Sequence, residues 1–431
     1  MSLDTVPIQV QKRKRDVDDV PFRPVRARRA GEYAAPTLPV MAMTCLADSV
    51  PWRDRCAFVS QFKALLQNPV LIMNNGALSR ATANLIRRHM VNLNRSNVSD
   101  TRLYHDASMN LGLINILGHG TFGEVWSGWL EQHGATQPVI IKLVRGEDNR
   151  LKVDVTDQFM NELVMQALLH CVANGLRMVP NPIPAVLAPV MLHDNQLHGS
   201  PGVVMDHAGH TLRQFIQHAN ETPANFWVIL ALVAHYLREL QQAVNFQHAD
   251  LHSGNIMVGR RAIPITTWIK MPRPGSGFPV WNGDKFSVTT PWTVSIIDFG
   301  FACMTLASSS GVPVQLRTLI GPPGLQQCWD QSNSSDLFVL LSSIYYMLAT
   351  PGEAPVRVSA SYQSVTRALE QFLGNALTAS GFDGGAPTHL LHHPHAAYFL
   401  TRGITSTTPD DVLALCFGQL QAAMAPQTGA P

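Results

Sequence analysis

Charge is what this chain has least of. Asp, Glu, Lys and Arg make up 14 % of its 431 residues, and the net charge is +2, whereas globular proteins usually carry roughly 25 % charged residues. The whole-molecule charge therefore gives no direct ground for nucleic-acid binding. No apolar run approaches the ~20 residues that a membrane span requires. The opening stretch MSLDTVPIQVQKRKRD lacks the apolar core of a signal peptide. Cysteine is sparse too: Cys45, Cys56, Cys171, Cys303, Cys328 and Cys416 are scattered without a CxxC pair. That spacing argues against a zinc ribbon or a disulfide framework and suits a reducing compartment. Together these absences lead us to expect an intracellular protein with no membrane contact.

Apolar residues are plentiful at 46 %, enough for a sizeable core. The length suits two or three domains, or one two-lobed domain with an extension. Residues 1–30 contain eight Lys or Arg against four Asp, in two clusters, Lys12-Arg13-Lys14-Arg15 and Arg23, Arg26, Arg28 and Arg29. Such clusters on a disordered arm can engage a nuclear-import receptor, so a nuclear or nucleocytoplasmic location is expected. We read residues 1–50 as tail and linker, and 51–108 as a helical extension on patterns such as FVSQFKALLQ and TANLIRRHMVNL.

The period then changes. Leu111 to Leu117, Glu124 to Leu130 and Val139 to Val144 are short apolar or alternating runs separated by turn-like residues, and read as three antiparallel strands. QFMNELVMQALLH follows at helical spacing, and VVMDH reads as another strand. Pro223 to Ala243 is helical, with Thr222 as a plausible N-cap and proline at the first helical position.

Between the first two strands lies GHGTFGEVW. Gly118, Gly120 and Gly123 would let backbone amides approach a phosphate without a Cβ in the way. The run continues as strand through Val125 and does not open a helix, which disfavours a dinucleotide site. Lys142 ends VIIK on the third strand and needs a partner, for which Glu162 is the natural candidate. HADLHSGN then sets Asp250 and Asn255 five residues apart, and TVSIIDFG ends a strand on Asp298. Two Asp and one Asn at strand ends make an oxygen-rich site suited to Mg²⁺, which takes one or two carboxylates plus substrate phosphates.

GHGTFGEV, VIIK, Glu162, HADLHSGN and DFG resemble, in order and spacing, the motifs of the eukaryotic-type protein kinase superfamily, from about Leu111 to Leu348. The resemblance implies an α+β, bilobal kinase-like fold: a small antiparallel-sheet lobe with one helix over residues 109–206, and a larger helical lobe over 207–425. It further implies ATP and Mg²⁺ as cofactors and protein Ser/Thr hydroxyls as acceptors. By matching position, Gly118, Gly120, Phe122, Gly123 and Val125 would cover the nucleotide. Lys142, fixed by Glu162, would contact the α- and β-phosphates, and Met205, Asp206 and Ala208 would meet the base. Asn255 and Asp298 would hold Mg²⁺, Asp250 would accept the proton of the attacking hydroxyl, and Asp336 would brace the catalytic loop from a long helix.

The chain departs from the family at several points. Ala249 stands where the family has Arg, so control by phosphorylation of the activation segment is not expected. His252 replaces a Lys and is a catalytic candidate with less charge at neutral pH; DLH followed by Gly-Asn also occurs in aminoglycoside- and choline-kinase-like phosphotransferases. GPPGLQ stands in place of Ala-Pro-Glu. Asn255 and Asp298 are 43 residues apart, where about a dozen is common; residues 260–292 read as an inserted hairpin loop or a docking element. The run HLLHHPH reads as ordinary packing and surface residues. The lost Arg and the basic tail look similar to herpesviral-type and haspin-like kinases. A small-molecule phosphotransferase and an ATP-binding pseudokinase scaffold stay open as alternatives. A fluorescent reporter fused to residues 1–30 is expected to accumulate in nuclei, and a cytoplasmic fusion would remove that reading.

Overall fold

Alternation along seven short strands builds the largest sheet. The strands are β1 (Val91–Arg95), β2 (Arg102–His105), β3 (Met109–Gly120), β4 (Gly123–Gln132), β5 (Ala135–Val144), β6 (Val186–Asp194) and β7 (Leu197–Asp206). The computed structural model describes residues 60–61, 64–65, 75–96, 102–120, 123–132, 134–144, 153–194, 197–217, 221–270, 285–306, 314–318, 336–350, 360–379 and 407–424. The basic tail, GPPGLQ and HLLHHPH lie outside the described residues.

The strands close into a barrel in the order β1-β2-β3-β4-β5-β7-β6. This overturns the expected bilobal kinase-like fold with a small antiparallel-sheet lobe and a helical partner: the architecture is mixed α/β around a closed seven-stranded barrel. Closure comes from β1, which pairs antiparallel with β2 and parallel with β6, Val91 against Val190 through Asn94 against His193. A closed sheet has no exposed edge to protect. The sequence hid this because VNLNR follows directly on a helical run and RLYH is only four residues long. The stretch 51–108, expected to be helical, therefore holds α1 (Asn75–His89) followed by two barrel strands.

Strand periodicity splits β5 between two cores. Val139, Ile141 and Leu143 fill the barrel interior with Leu93, Tyr104, Leu111 and Trp126. Ile140 and Val144 face outward into the main core, where α2 (Val153–Gly175) packs. Lys142 shares that outward face by its position, and this one alternation aims it at α2.

The remaining elements are β8 (His210–Thr211), α3 (Leu212–Gln217), α4 (Pro223–Val244), β9 (Ile256–Lys270), β10 (Lys285–Ile296), β11 (Cys303–Leu306), β12 (Val314–Arg317), α5 (Asp336–Ala349), α6 (Gln363–Ala379) and α7 (Pro409–Met424). Thr222 caps α4, its hydroxyl accepting from the Asn225 N–H at 3.3 Å, and Pro223 opens the first turn. Asn245 ends α4 in the left-handed region at φ 47°. The helix is apolar on nearly every face and is buried accordingly. It is tied to α7 by Arg238 and Asp410 at 2.8 Å. Thr408 and Asp411 form a reciprocal capping box at the start of α7.

The insertion is more than a surface loop. β9 and β10 pair antiparallel from Ile256 against Ile296 to Lys270 against Lys285. Ile269 and Val288 lie in the main core, and the Phe286 and Phe417 rings stand 4.2 Å apart. Cys303 is disulfide-bonded, a pairing that the scattered cysteines do not signal; Cys171 and Cys416 are buried and stand outside any disulfide. Among the described residues, no helix is long and apolar enough to cross a membrane. Emptying the barrel at its closing strand with Leu93→Ala should cost about 2–4 kcal/mol in urea unfolding. A loss below about 1 kcal/mol would mean that β1 is not part of the barrel wall.

Candidate functional site

Lys142, Glu162 and Asp298 meet between the barrel and α2. The Lys142 ammonium donates to Glu162 Oε1 at 2.7 Å and to Asp298 Oδ1 at 3.1 Å. Lys142 and Glu162 are nearly enclosed, with side chains 15 % and 9 % exposed, whereas Asp298 is 44 % exposed. Burial opposes the charge on Lys142, but Glu162 and Asp298 outweigh it and hold the ammonium above its usual range. Burial pushes Glu162 up, against the pull of Lys142. Burial also opposes ionisation of Asp298, yet Lys142, His248 and the Gly300 backbone together hold its carboxyl below the usual range.

The sheet aligns an apolar wall beside this ion pair. Val125 stands opposite Lys142 across β4 and β5, and Met205 stands opposite Ile140 across β5 and β7. Paired residues share a face, so Val125, Ile140, Lys142 and Met205 line one surface. Above it, Gly118 pairs with Val125 and Gly120 with Gly123. Gly123 is required by close packing: a Cβ there would lie 1.8 Å from the Leu143 carbonyl oxygen. A Cβ on Gly118 would meet nothing within 4 Å. Phe122 lies outside the described residues.

The loop after α4 supplies the other face. Asp336, the first residue of α5, accepts from the N–H groups of His248 and Ala249, both at 2.8 Å. This grip holds Ala249 at φ 62°, a conformation that side chains other than glycine seldom adopt. His248 Nε2 lies 2.9 Å from the Ile297 carbonyl oxygen, and the Ile297 N–H donates to the Asn255 carbonyl at 3.0 Å. The loop is thereby stitched to the strand that ends at Asp298, itself in the left-handed region at φ 64°. The Asn255 side-chain amide donates to the Asp250 carbonyl at 2.9 Å, which leaves its Oδ1 for another partner. The Ser253 N–H donates to Ser343 Oγ on α5 at 3.1 Å.

His252 and Asp250 are tuned differently. The Gly254 N–H donates to His252 Nδ1 at 3.0 Å, so the neutral ring carries its proton on Nε2. Burial and Arg213 lower the His252 pKa, against the pull of Asp298, and keep the ring neutral. Burial raises the Asp250 carboxyl to about 6, assisted by Asp298 and Asp336 and opposed by His248.

Asn255 Oδ1 and the Asp298 carboxylate are both hard oxygen donors. Among the described residues no group of three His, Cys, Asp or Glu is placed to hold a metal alone. The donor set fits Mg²⁺, whose shell is normally completed by water and substrate phosphate.

Asp206 and Ala208 continue the chain from Met205, with Asp206 opposite Val139 across β7 and β5. They line a groove of about 1110 Å³ whose walls include His207, Arg260 and Trp292 but none of Lys142, Asp250 or Asp298. The Asp206 N–H is engaged by the Ala185 carbonyl at 3.1 Å. Gln158 was not singled out from the sequence, yet it donates to the Gly300 carbonyl at 3.0 Å. Its position one turn before Glu162, on the same helix face, is the signal that could have found it. Arg87 of α1, paired with Asp157, was likewise unmarked.

No protein-family model matches the chain, and no curated protein matches it either.

Because Asp250 titrates near 6 in the folded protein, the folded state holds that proton to higher pH than the unfolded chain does. Its charge therefore costs stability as pH rises from about 4 through 6. Asp250→Asn should stabilise the protein at pH 7.5 by about 1 kcal/mol, a value reduced because solvent reaches part of the group. At pH 3.5 the gain should vanish. Denaturant titrations at both pH values check this, and an equal gain at both would exclude a charge effect.

Proposed function

We propose that this chain is a serine/threonine protein kinase that transfers the γ-phosphoryl group of ATP to protein hydroxyls. The observation that carries the reading is the Lys142 ammonium held between Glu162 and Asp298, beside a loop presenting Asp250 and Asn255. Phosphoryl transfer asks mainly for positioning and charge neutralisation. Lys142 supplies a fixed cation for the α- and β-phosphates, and Glu162 keeps its stem from swinging. The Gly118–Gly123 hairpin covers the phosphates, while Val125 and Met205 offer an apolar wall to the base. Asn255 and Asp298 would hold Mg²⁺, which neutralises phosphate charge when bound.

Asp250 orients the acceptor hydroxyl and takes its proton. A carboxyl raised to about 6 is ionised at neutral pH and more basic than an ordinary aspartate. His252, neutral with its proton on Nε2, donates a hydrogen bond to the transferred group without adding charge. Protein substrates are the partners in this reading. The basic clusters of residues 1–30 would engage an import receptor and bring the protein to the nucleus.

Radiolabelled ATP, offered with generic protein substrates and small alcohols in parallel, tests the proposal. Label should appear on protein Ser/Thr, and Lys142→Met or Asp298→Ala should each lower transfer by at least about 100-fold. The rate should fall below about pH 6 as Asp250 takes up a proton. Label on the alcohols alone would give a small-molecule phosphotransferase, and undiminished transfer by both variants would sink the site assignment.

A further inference from the structure

The groove of about 1110 Å³ behind Asp206–His210 takes no part in the proposed chemistry. It is walled by the Pro180–Pro184 connection, the start of β8, and the Val258–Arg261 segment of β9 with Trp292 of β10.

The charges on the walls are unevenly satisfied. The two carboxylates are engaged within the protein: Asp206 is hydrogen-bonded by the Ala185 backbone, and Glu221 accepts from the Asn225 side chain at 3.0 Å. Arg260 and Arg261 are exposed, and neither forms an ion pair with a described residue. The Arg260 guanidinium lies over the Trp292 ring at 5.5 Å, an arrangement that holds a cation in place without neutralising it. His207 stands on the same wall, its Nδ1 accepting from the Gly209 N–H at 3.2 Å.

Backbone groups are available as well. β8 pairs with β9 only through His210 against Val258 and Thr211 against Met257. Beyond Gly259, no described strand pairs with β9 on the β8 side. An unpaired strand edge is a template for an incoming extended chain. Large apolar side chains stand exposed nearby on β9, Ile263 at 79 % and Trp268 at 46 %, with Val179 at 60 % beside Pro180.

We infer that this groove docks an extended, acidic peptide segment of a protein partner, with backbone pairing along β9, carboxylates on Arg260 and Arg261, and an apolar residue against the exposed Ile263 further along the same strand. Lys142, Asp250 and Asp298 are not among the groove's lining residues, which makes docking separable from phosphoryl transfer. The inference goes beyond the kinase reading and does not depend on it.

An array of random-sequence dodecapeptides, probed with the full chain, supplies the test. Wild-type protein should select peptides enriched in Asp and Glu together with an aromatic or aliphatic residue. Arg260→Glu/Arg261→Glu should lose that preference or shift it toward Lys and Arg, and should bind the best wild-type peptide at least about tenfold more weakly. Both arginines are exposed, so matching circular dichroism and melting curves should show an unchanged fold. Lys142→Met should select the same peptides as wild type, which separates this outcome from a failure of the kinase reading. No acidic preference, or the same peptides selected by the charge-reversed protein, would overturn the inference.

Discussion

The Lys142 ammonium is the constraint on which the site depends. A charge removed from water costs several kcal/mol, and this one sits with 15 % of its side chain exposed. Glu162 and Asp298 must both stay near it. Because they belong to different elements, their shared partner holds β5, α2 and the end of β10 in one arrangement. Gln158 reinforces it from the same helix by binding Gly300. Arg87 adds a brace from α1 through Asp157.

A second grip, from α5, shapes the loop. One carboxylate, Asp336, receives two adjacent backbone N–H groups and keeps Ala249 in a conformation that an alanine would not choose. Burial raises the Asp336 pKa while His248 and the two N–H donors oppose that rise. The loop is thus held from α5 by backbone hydrogen bonds, while Asp250 and His252 stay partly buried within it. Asp298, the most exposed member of the cluster at 44 %, marks the side from which solvent reaches the ammonium.

Parts of the site were legible in the sequence because their spacing is local. Lys142 had to be charged and half-enclosed in a β-branched strand, and Glu162 lay on the next helix. Asp250, Asn255 and Asp298 were marked by loop and strand-end chemistry. Gln158 and the Nε2–H tautomer of His252 were not legible, since each depends on which backbone group lies opposite. The groove behind Asp206 was not legible either. It is lined from segments as far apart as Gln137 and Ser295, and no short motif carries that information. The inserted hairpin gave no warning that its far end is core: Ile269 and Val288 join the main core, where α4 packs against β10.

The fold itself separates the two kinds of information most clearly. The short apolar or alternating runs Leu111–Leu117, Glu124–Leu130 and Val139–Val144, helical spacing after Gln158, and the Thr222-Pro223 start of α4 were determined by sequence alone, because each rests on contacts within a few residues. Closure of the barrel was decided by tertiary structure. β1 is five residues with a single buried side chain, Leu93, too weak a pattern to declare itself a strand. It becomes one because β6 offers an edge of unpaired backbone groups, and hydrogen-bonding that edge in parallel costs less than leaving it exposed.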